Sequence, residues 1–137
     1  MVIEKKLLDE LTAAAKASPR LRMNLDLRNS PADGSQRMLN AIEPGSVLPI
    51  HRHRKSSETV VILRGHLRET FYDPSGNVTD VFDLMPGGEI VALNIPLGQW
   101  HTAESLESGT VICESKDGAW EAMGEEDVLD TINTKVK

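Results

Sequence analysis

Apolar positions along the chain fall into two regimes. Over residues 3–17, Ile3, Leu7, Leu8, Leu11, Ala14 and Ala15 recur at helical spacing, with acids and lysines on the opposite face. That pattern predicts an amphipathic helix. Ser18-Pro19 ends it, because the residue before a proline is pushed out of the helical region. A helix this short is unstable alone and must pack on something. Residues 20–35 have no period and carry the turn signals Asn29-Ser30-Pro31 and Asp33-Gly34, so they read as irregular. From Gln36 to Lys116 the regime changes. Short runs rich in Val, Ile, Leu and Thr occupy 37–43, 46–53, 58–64, 66–72, 78–84, 89–95, 100–106 and 109–115. Punctuation such as Glu43-Pro44-Gly45, Pro86-Gly87-Gly88 and Pro96-Leu97-Gly98 divides them. Strands at this spacing predict an all-β sandwich or barrel, and no intervening helical pattern supports a parallel α/β sheet. Residues 117–137 are acidic and weakly patterned, with Val128, Leu129 and Ile132 suggesting one helical turn. The expected organisation is one domain. Segment 1–35 packs on a barrel spanning 36–116, and 117–137 forms a tail.

Composition narrows the function classes. A chain of 137 residues is typical of one domain and long enough to bury a core without disulfides. With two Trp, two Phe and one Tyr, that core must be mainly aliphatic. The formal net charge is −6, and the one basic cluster is His51-Arg52-His53-Arg54-Lys55. Phosphate-backbone binding needs a basic face, so nucleic acid is a poor partner. Arg54 and Lys55 remain placed to meet an anion locally, against the simpler reading of solvated charge. Cys113 is alone, in the apolar run Val111-Ile112-Cys113, which predicts a buried, inert thiol in a reducing compartment. The N-terminus lacks the apolar stretch of a signal peptide, and no run approaches ~18 apolar residues. The expectation is a cytoplasmic protein that engages no membrane.

The chemistry lies in the histidines. Three of the four fall into two patterned segments, Gly45-x5-His51-x-His53-x4-Glu58-x6-Gly65 and Pro96-x-Gly98-x2-His101. Residues i and i+2 of a strand share a face, so His51 and His53 can meet one ion while Arg52 points away. Arg54 to Ser57 allow a turn, after which the strand from Glu58 can return antiparallel beside the first and bring a carboxylate to the imidazoles. His101, opening a later strand, closes the set. Neutral imidazole suits Fe, Mn, Zn, Ni or Co, and one carboxylate cancels part of the cation's charge. Four protein ligands leave a position open on a five- or six-coordinate ion, as a catalytic metal needs. By the chain's own composition, the five fixed positions of the first segment arise by chance roughly 5 × 10⁻⁵ times per chain, so the motif is strong. His66 has no partner pattern and reads as an ordinary hydrogen-bonded residue.

These two motifs resemble those of the cupin superfamily over 37–116, with two departures in the second: seven residues separate Gly88 from Pro96, and Ser105 stands four after His101. The chain resembles more closely the WbuC-type cupin metalloproteins. That likeness rests on Ser18-Pro19-Arg20-Leu21-Arg22-Met23-Asn24, on Gln36-Arg37-Met38-Leu39-Asn40-Ala41, and on the run from Ile95 to Lys116. The resemblance implies a double-stranded β-helix (jelly-roll) barrel with a short N-terminal helix. It also implies a divalent metal and a link to bacterial surface-polysaccharide gene clusters.

Two function classes follow. In the first, the metal polarises an oxygen of a small sugar-related or carbonyl-containing substrate, as in an isomerase or epimerase, or supports O₂ chemistry as Fe(II) in a dioxygenase. Glu114, alternating inward with Ile112, is the candidate general base or partner of a ligand histidine. Arg20, Arg22, Asn24 and Arg37 are candidates to hold a carboxylate or phosphate, against the alternative that they pin the N-terminal segment to the barrel. Lys55 and Gln99 are further candidates for substrate contact, and Trp100 reads as packing. In the second class, the barrel is a non-catalytic module whose metal holds a small ligand. Residues 59–63 are apolar on both strand faces, which predicts that the second face meets either the N-terminal helix or the second subunit of a homodimer.

Overall fold

The computed structural model describes residues 1–129. Helix α1 spans Lys5–Ala17, with Leu11, Thr12 and Ala15 buried. Eight strands follow: β1 (Arg22–Asp26), β2 (Ser35–Ile42), β3 (Glu58–Arg64), β4 (Leu67–Tyr72), β5 (Val78–Leu84), β6 (Ala92–Ile95), β7 (Trp100–Ser105) and β8 (Val111–Asp117). They form two antiparallel sheets, ordered β1-β2-β8-β3-β6 and β5-β4-β7, within the all-β class that the run spacing predicts and the jelly-roll form that the cupin resemblance implies.

Period-two alternation sorts the strands' side chains onto two faces. Between the sheets, Ile42, Val60, Ile62, Leu67, Leu84 and Ile112 form the main core. On the outer face of the larger sheet, Leu39, Ala41 and Val111 pack against Leu11 and Ala15 of α1, with Leu63 and Cys113 beside them. The helix thus supplies the cover that the apolar outer face of β2, β3 and β8 requires. Burial pushes the Cys113 thiol upward, in keeping with an inert side chain. The cover is incomplete, since Val61 stays 37% exposed.

Three local expectations need correction. Residues 22–26 are a strand, β1, paired with β2 from Arg22↔Ile42 to Asp26↔Met38. Only Met23 and Leu25 of this strand face the helix side, too few apolar positions to register as a period. Residues 46–53 form no strand, and only His51 bridges, to His101 and to Val128. Pro49 sits in this stretch and offers no N–H to a ladder. In consequence β3 pairs with β6 and β8 rather than with the histidine segment. In the tail, a 3₁₀ turn covers Glu125–Asp127, but Val128 lies in an extended bridge rather than a helical turn, and Ile132 lies outside the described residues.

Two glycines are required where they stand. Gly65, at φ +88°, turns β3 into β4, and a Cβ there would lie 2.6 Å from Thr110 Cα. Gly45, at φ +95°, leaves room for Leu21, whose Cδ1 would lie 3.2 Å from an added Cβ. Leu21 itself has φ +57°, the one non-glycine residue with positive φ among the described residues. Such a conformation costs roughly 1–3 kcal/mol and persists only where the surroundings enforce it.

Candidate metal centre

His51 and His101 are fixed by their own backbones. Each donates its N–H to the other's carbonyl, at 2.9 Å from His51 and 2.8 Å from His101. This reciprocal pair puts both side chains on one side, with ring centroids 4.3 Å apart. His53, two residues on, has its centroid 5.1 Å from His51 and 5.8 Å from His101. Its carbonyl accepts the Gly98 N–H at 2.8 Å, tying the first histidine segment to the turn before β7.

The hydrogen bonds settle which nitrogens face inward. His51 Nδ1 lies 2.9 Å from Pro49 O, and His101 Nδ1 lies 2.9 Å from Gln99 O. A carbonyl only accepts, so both Nδ1 atoms carry the proton and both Nε2 atoms present lone pairs. Burial keeps these imidazoles neutral. It pushes His51 down to about 4, helped by the neighbouring His101, and pushes His101 down as well. One donor atom from each of His51, His53 and His101 lies within 4.8 Å of the others, so the three could hold one metal ion.

Glu58 opens β3 beside them. Its Oε2 is 3.3 Å from His53 Nε2 and its Oε1 is 3.9 Å from His101 Nε2. Burial by itself would raise this carboxyl, but the close approach of His53, and then the charge the three imidazoles carry when protonated, outweigh it and hold it below the usual glutamate range. Two donors each about 2.1 Å from an ion sit ~3.0–3.5 Å apart, so the Glu58–His53 separation fits a shared cation. His53 Nε2 is buried and makes no hydrogen bond despite the nearby carboxylate. A buried nitrogen left without a partner is costly, and a cation between it and Glu58 would satisfy both.

A model of the family described as a domain of unknown function, DUF6016, matches residues 3–84. The chain belongs to the DUF6016 family. No curated protein matches the sequence. Among solved structures, it is similar to KdgF from Halomonas sp. at 16% identity and a TM-score of 0.58, covering 74% of this chain and 82% of that one. CapF, solved with the inhibitor 3-isopropenyl-tropolone, aligns at 18% identity and a TM-score of 0.60, over 72% of this chain and 28% of its own. Oxalate decarboxylase from Bacillus subtilis aligns at 20% identity and a TM-score of 0.55, over 79% of this chain and 27% of its own. These neighbours are cupins, and this DUF6016 chain has the cupin fold.

The remaining candidates separate cleanly. A cavity of about 260 Å³ lies against the histidines, and Arg20, Arg22, Asn24 and Glu114 line it. Arg37 faces away. Its Nη2 donates to Leu27 O at 3.4 Å and pairs with Asp33 at 3.2 Å, so it pins the N-terminal segment. Gln99 is also taken up, its Nε2 donating to Tyr72 O and Trp100 O. Lys55 pairs with Glu121 on the surface. Trp100 is packing, buried beneath the Arg52 guanidinium at 4.5 Å. His66 pairs with Asp83 at 3.0 Å, outside the cluster.

Glu114 faces inward and accepts from Asn40 Nδ2 at 3.4 Å. Burial, and next the nearby Glu58, push its carboxyl up to about 8, so at neutral pH it holds a proton. In that protonated state it would serve as a proton donor rather than as the general base expected from the sequence.

Two features escaped the sequence reading. Glu69 on β4 is only 2% exposed, and its Oε1 has no partner. Burial, then Glu58 and Glu114, raise it well above the usual range. The alternation Leu67-x-Glu69-x-Phe71 is the signal that could have found it, a carboxylate on the apolar face of a strand. The second feature is the segment before residue 130. Its Val128 bridges His51, and its Asp127 carbonyl accepts the Arg52 N–H at 3.1 Å. Asp127 also takes Arg52 at 3.0 Å and Arg54 at 2.7 Å. The tail is therefore a strap across the ligand-bearing segment, and its Trp120 reaches the cavity rim.

Proposed function

We propose that this DUF6016 chain binds one divalent first-row transition metal on His51, His53, His101 and Glu58, and uses it on a small sugar-related or carbonyl-containing molecule. The observation that carries this is the convergence of three imidazoles, two with Nε2 lone pairs aimed inward, beside a carboxylate held ionised. Bound there, a divalent ion supplies Lewis-acid polarisation of a substrate oxygen, or oxygen chemistry when the ion is iron. The donor set suits Fe, Mn, Zn, Ni or Co, and the Mn(II) centres of oxalate decarboxylase, a fold neighbour, favour manganese among them. Pro49 O and Gln99 O hold two of the rings in one tautomer. Protonated Glu114 offers a proton inside the cavity, and Asn40 orients it. Trp120 and Leu48 add apolar surface to the cavity lining. The WbuC-type likeness adds a role in surface-polysaccharide metabolism to this reading.

The chain also pairs as a homodimer in this proposal, since Val61 and Val91 leave apolar surface that α1 does not cover. A light-scattering mass of one chain overturns that part. The central reading is tested by elemental analysis of protein purified without a metal-binding tag, beside His51→Ala/His101→Ala. About one equivalent of a first-row metal, lost in the variant, is expected. Wild type that neither carries nor takes up metal overturns it.

A further inference from the structure

The chain has eight arginines. Six pair with a carboxylate at 2.6 to 3.2 Å. The two without one among the described residues are Arg20 and Arg22, and both line the cavity beside the histidines. In a chain with six more acids than bases, these two neighbouring cations make no ion pair among the described residues, although Glu58, Glu114 and Glu121 line the same cavity.

The fold works to hold them there. Leu21, between the two, is the residue forced into the left-handed region. Its carbonyl is fixed by the Glu43 N–H at 2.9 Å. The buried Ser46 hydroxyl donates to Arg20 O at 2.7 Å and accepts from Arg22 Nη1 at 3.2 Å, and Arg22 Nη1 also donates to Val47 O. Among the described residues, these bonds use Arg22's Nη1 and leave its Nε and Nη2 without partners, and Arg20 uses none of its side-chain donors. Burial, and then repulsion from Arg20, lower the Arg22 guanidinium's pKa, the expected sign of a cation missing its anion. Lys116, on the same cavity, has no ion pair among the described residues either. The same cavity is lined by Trp120, which is 58% exposed, and by Met38.

We infer that the missing counter-charge is the ligand's: the cavity takes a small organic anion, its carboxylate or phosphate on the Arg20–Arg22 fork and its body between Trp120 and the metal centre. Arg presents planar paired donors that match either group. The cavity's volume, about 260 Å³, lies below the ~300–1,000 Å³ of sites for drug-sized ligands, so it matches a monosaccharide-sized anion better than a sugar nucleotide. This inference rests on the reading of the same cavity as the substrate pocket of a metal-binding cupin.

Calorimetric titration of the full chain with glucuronate, glucose 6-phosphate, glucose and UDP-glucose tests it, with metal content measured on each sample. The acid or the phosphate, whichever the fork prefers, should bind at least ten-fold more tightly than glucose, and UDP-glucose should bind no better than glucose. Arg20→Gln, which leaves the Ser46 hydrogen bonds intact, should cost several-fold. Arg20→Gln/Arg22→Gln, checked for folding by circular dichroism, should abolish the preference without changing metal content. Equal binding of glucose and both anions, an unchanged affinity in Arg20→Gln, or tight binding of UDP-glucose would overturn the inference while leaving a metal-loaded protein intact. Protein that neither carries nor takes up metal yet keeps the anion preference overturns the metal reading and leaves this one standing.

Discussion

The two ends of the barrel interior are built on the same strands and follow opposite rules. At one end Ile42, Ile62, Leu67, Leu84 and Ile112 pack with only carbon against carbon. At the other, one step along the same inward faces, β2 presents Asn40, β3 presents Glu58 and β8 presents Glu114. On β8 the change from Ile112 to Glu114 takes two residues. The apolar end gains burial, at about 25 cal/mol per Å². The polar end is a cost. His53 Nε2, Asn40 Oδ1 and Glu69 Oε1 are buried there without partners, and each such group is expected to cost about 1–3 kcal/mol. Function belongs at the polar end: the fold is stabilised at one end of its interior and chemically loaded at the other.

The sharpest test sets neighbours on one strand face against each other. Ile112→Ala should destabilise the protein by about 2–5 kcal/mol in urea unfolding, through lost burial and the cavity left behind. Glu114→Gln, two residues on, should cost far less, because it removes an acid that burial already disfavours. Equal losses at the two positions would erase the distinction between the ends.

A second test uses pH on metal-free protein. Glu114, raised to about 8 when folded, binds a proton that the unfolded chain releases near 4.5. The folded state therefore holds more protons between those values, and stability falls as pH rises. His51, lowered to about 4, acts in the opposite sense below its unfolded value of 6.5. From pH 6.5 to 8 only the buried acids operate, and Glu114 alone should lose about 1–2 kcal/mol across that window. Glu114→Gln should flatten the slope, and Glu69→Gln should flatten it further. A slope that both substitutions leave unchanged would mean that neither carboxyl is protonated in the folded state.

Much of this was legible in the sequence. The helix and the all-β class followed from period, because alternation is local geometry; the residues that converge on the centre followed from the spacing of the motif, although the i, i+2 argument for His51 and His53 assumed a strand that is not there. What was not legible depends on contacts distant along the chain. β1 has two apolar residues and is a strand because β2 is there to pair with it. The histidine segment looked like a strand and is not, since Pro49 interrupts its ladder and β3 finds β6 and β8 instead. Arg20, Arg22 and Arg37 looked alike in sequence. Only the fold assigns Asp33 to one and leaves the other two without a carboxylate.

The polar end also has a cover that the apolar end does not need, and the smallest effects are expected there. The strap carries two kinds of ion pair. Lys55–Glu121 joins side chains 81% and 66% exposed. Such a pair gains little in water and must order two flexible side chains, so Glu121→Gln should produce no measurable change in unfolding. Asp127 is different. It is 17% exposed, meets two guanidinium groups, and belongs to a segment whose main chain also bonds Arg52 N and, through Leu129 N, Ile50 O. Asp127→Asn should cost at most about 1 kcal/mol globally. Its local effect should be larger: faster amide exchange at Arg52 and Leu129, whose N–H groups are protected only while the strap lies down. Because His51 and His53 flank Arg52, that loosening should also speed metal loss to a chelator. Unchanged exchange at both amides would show that the main-chain bonds hold the strap without the charges, and that the cover, like the barrel beneath it, is fastened by backbone rather than by ion pairs.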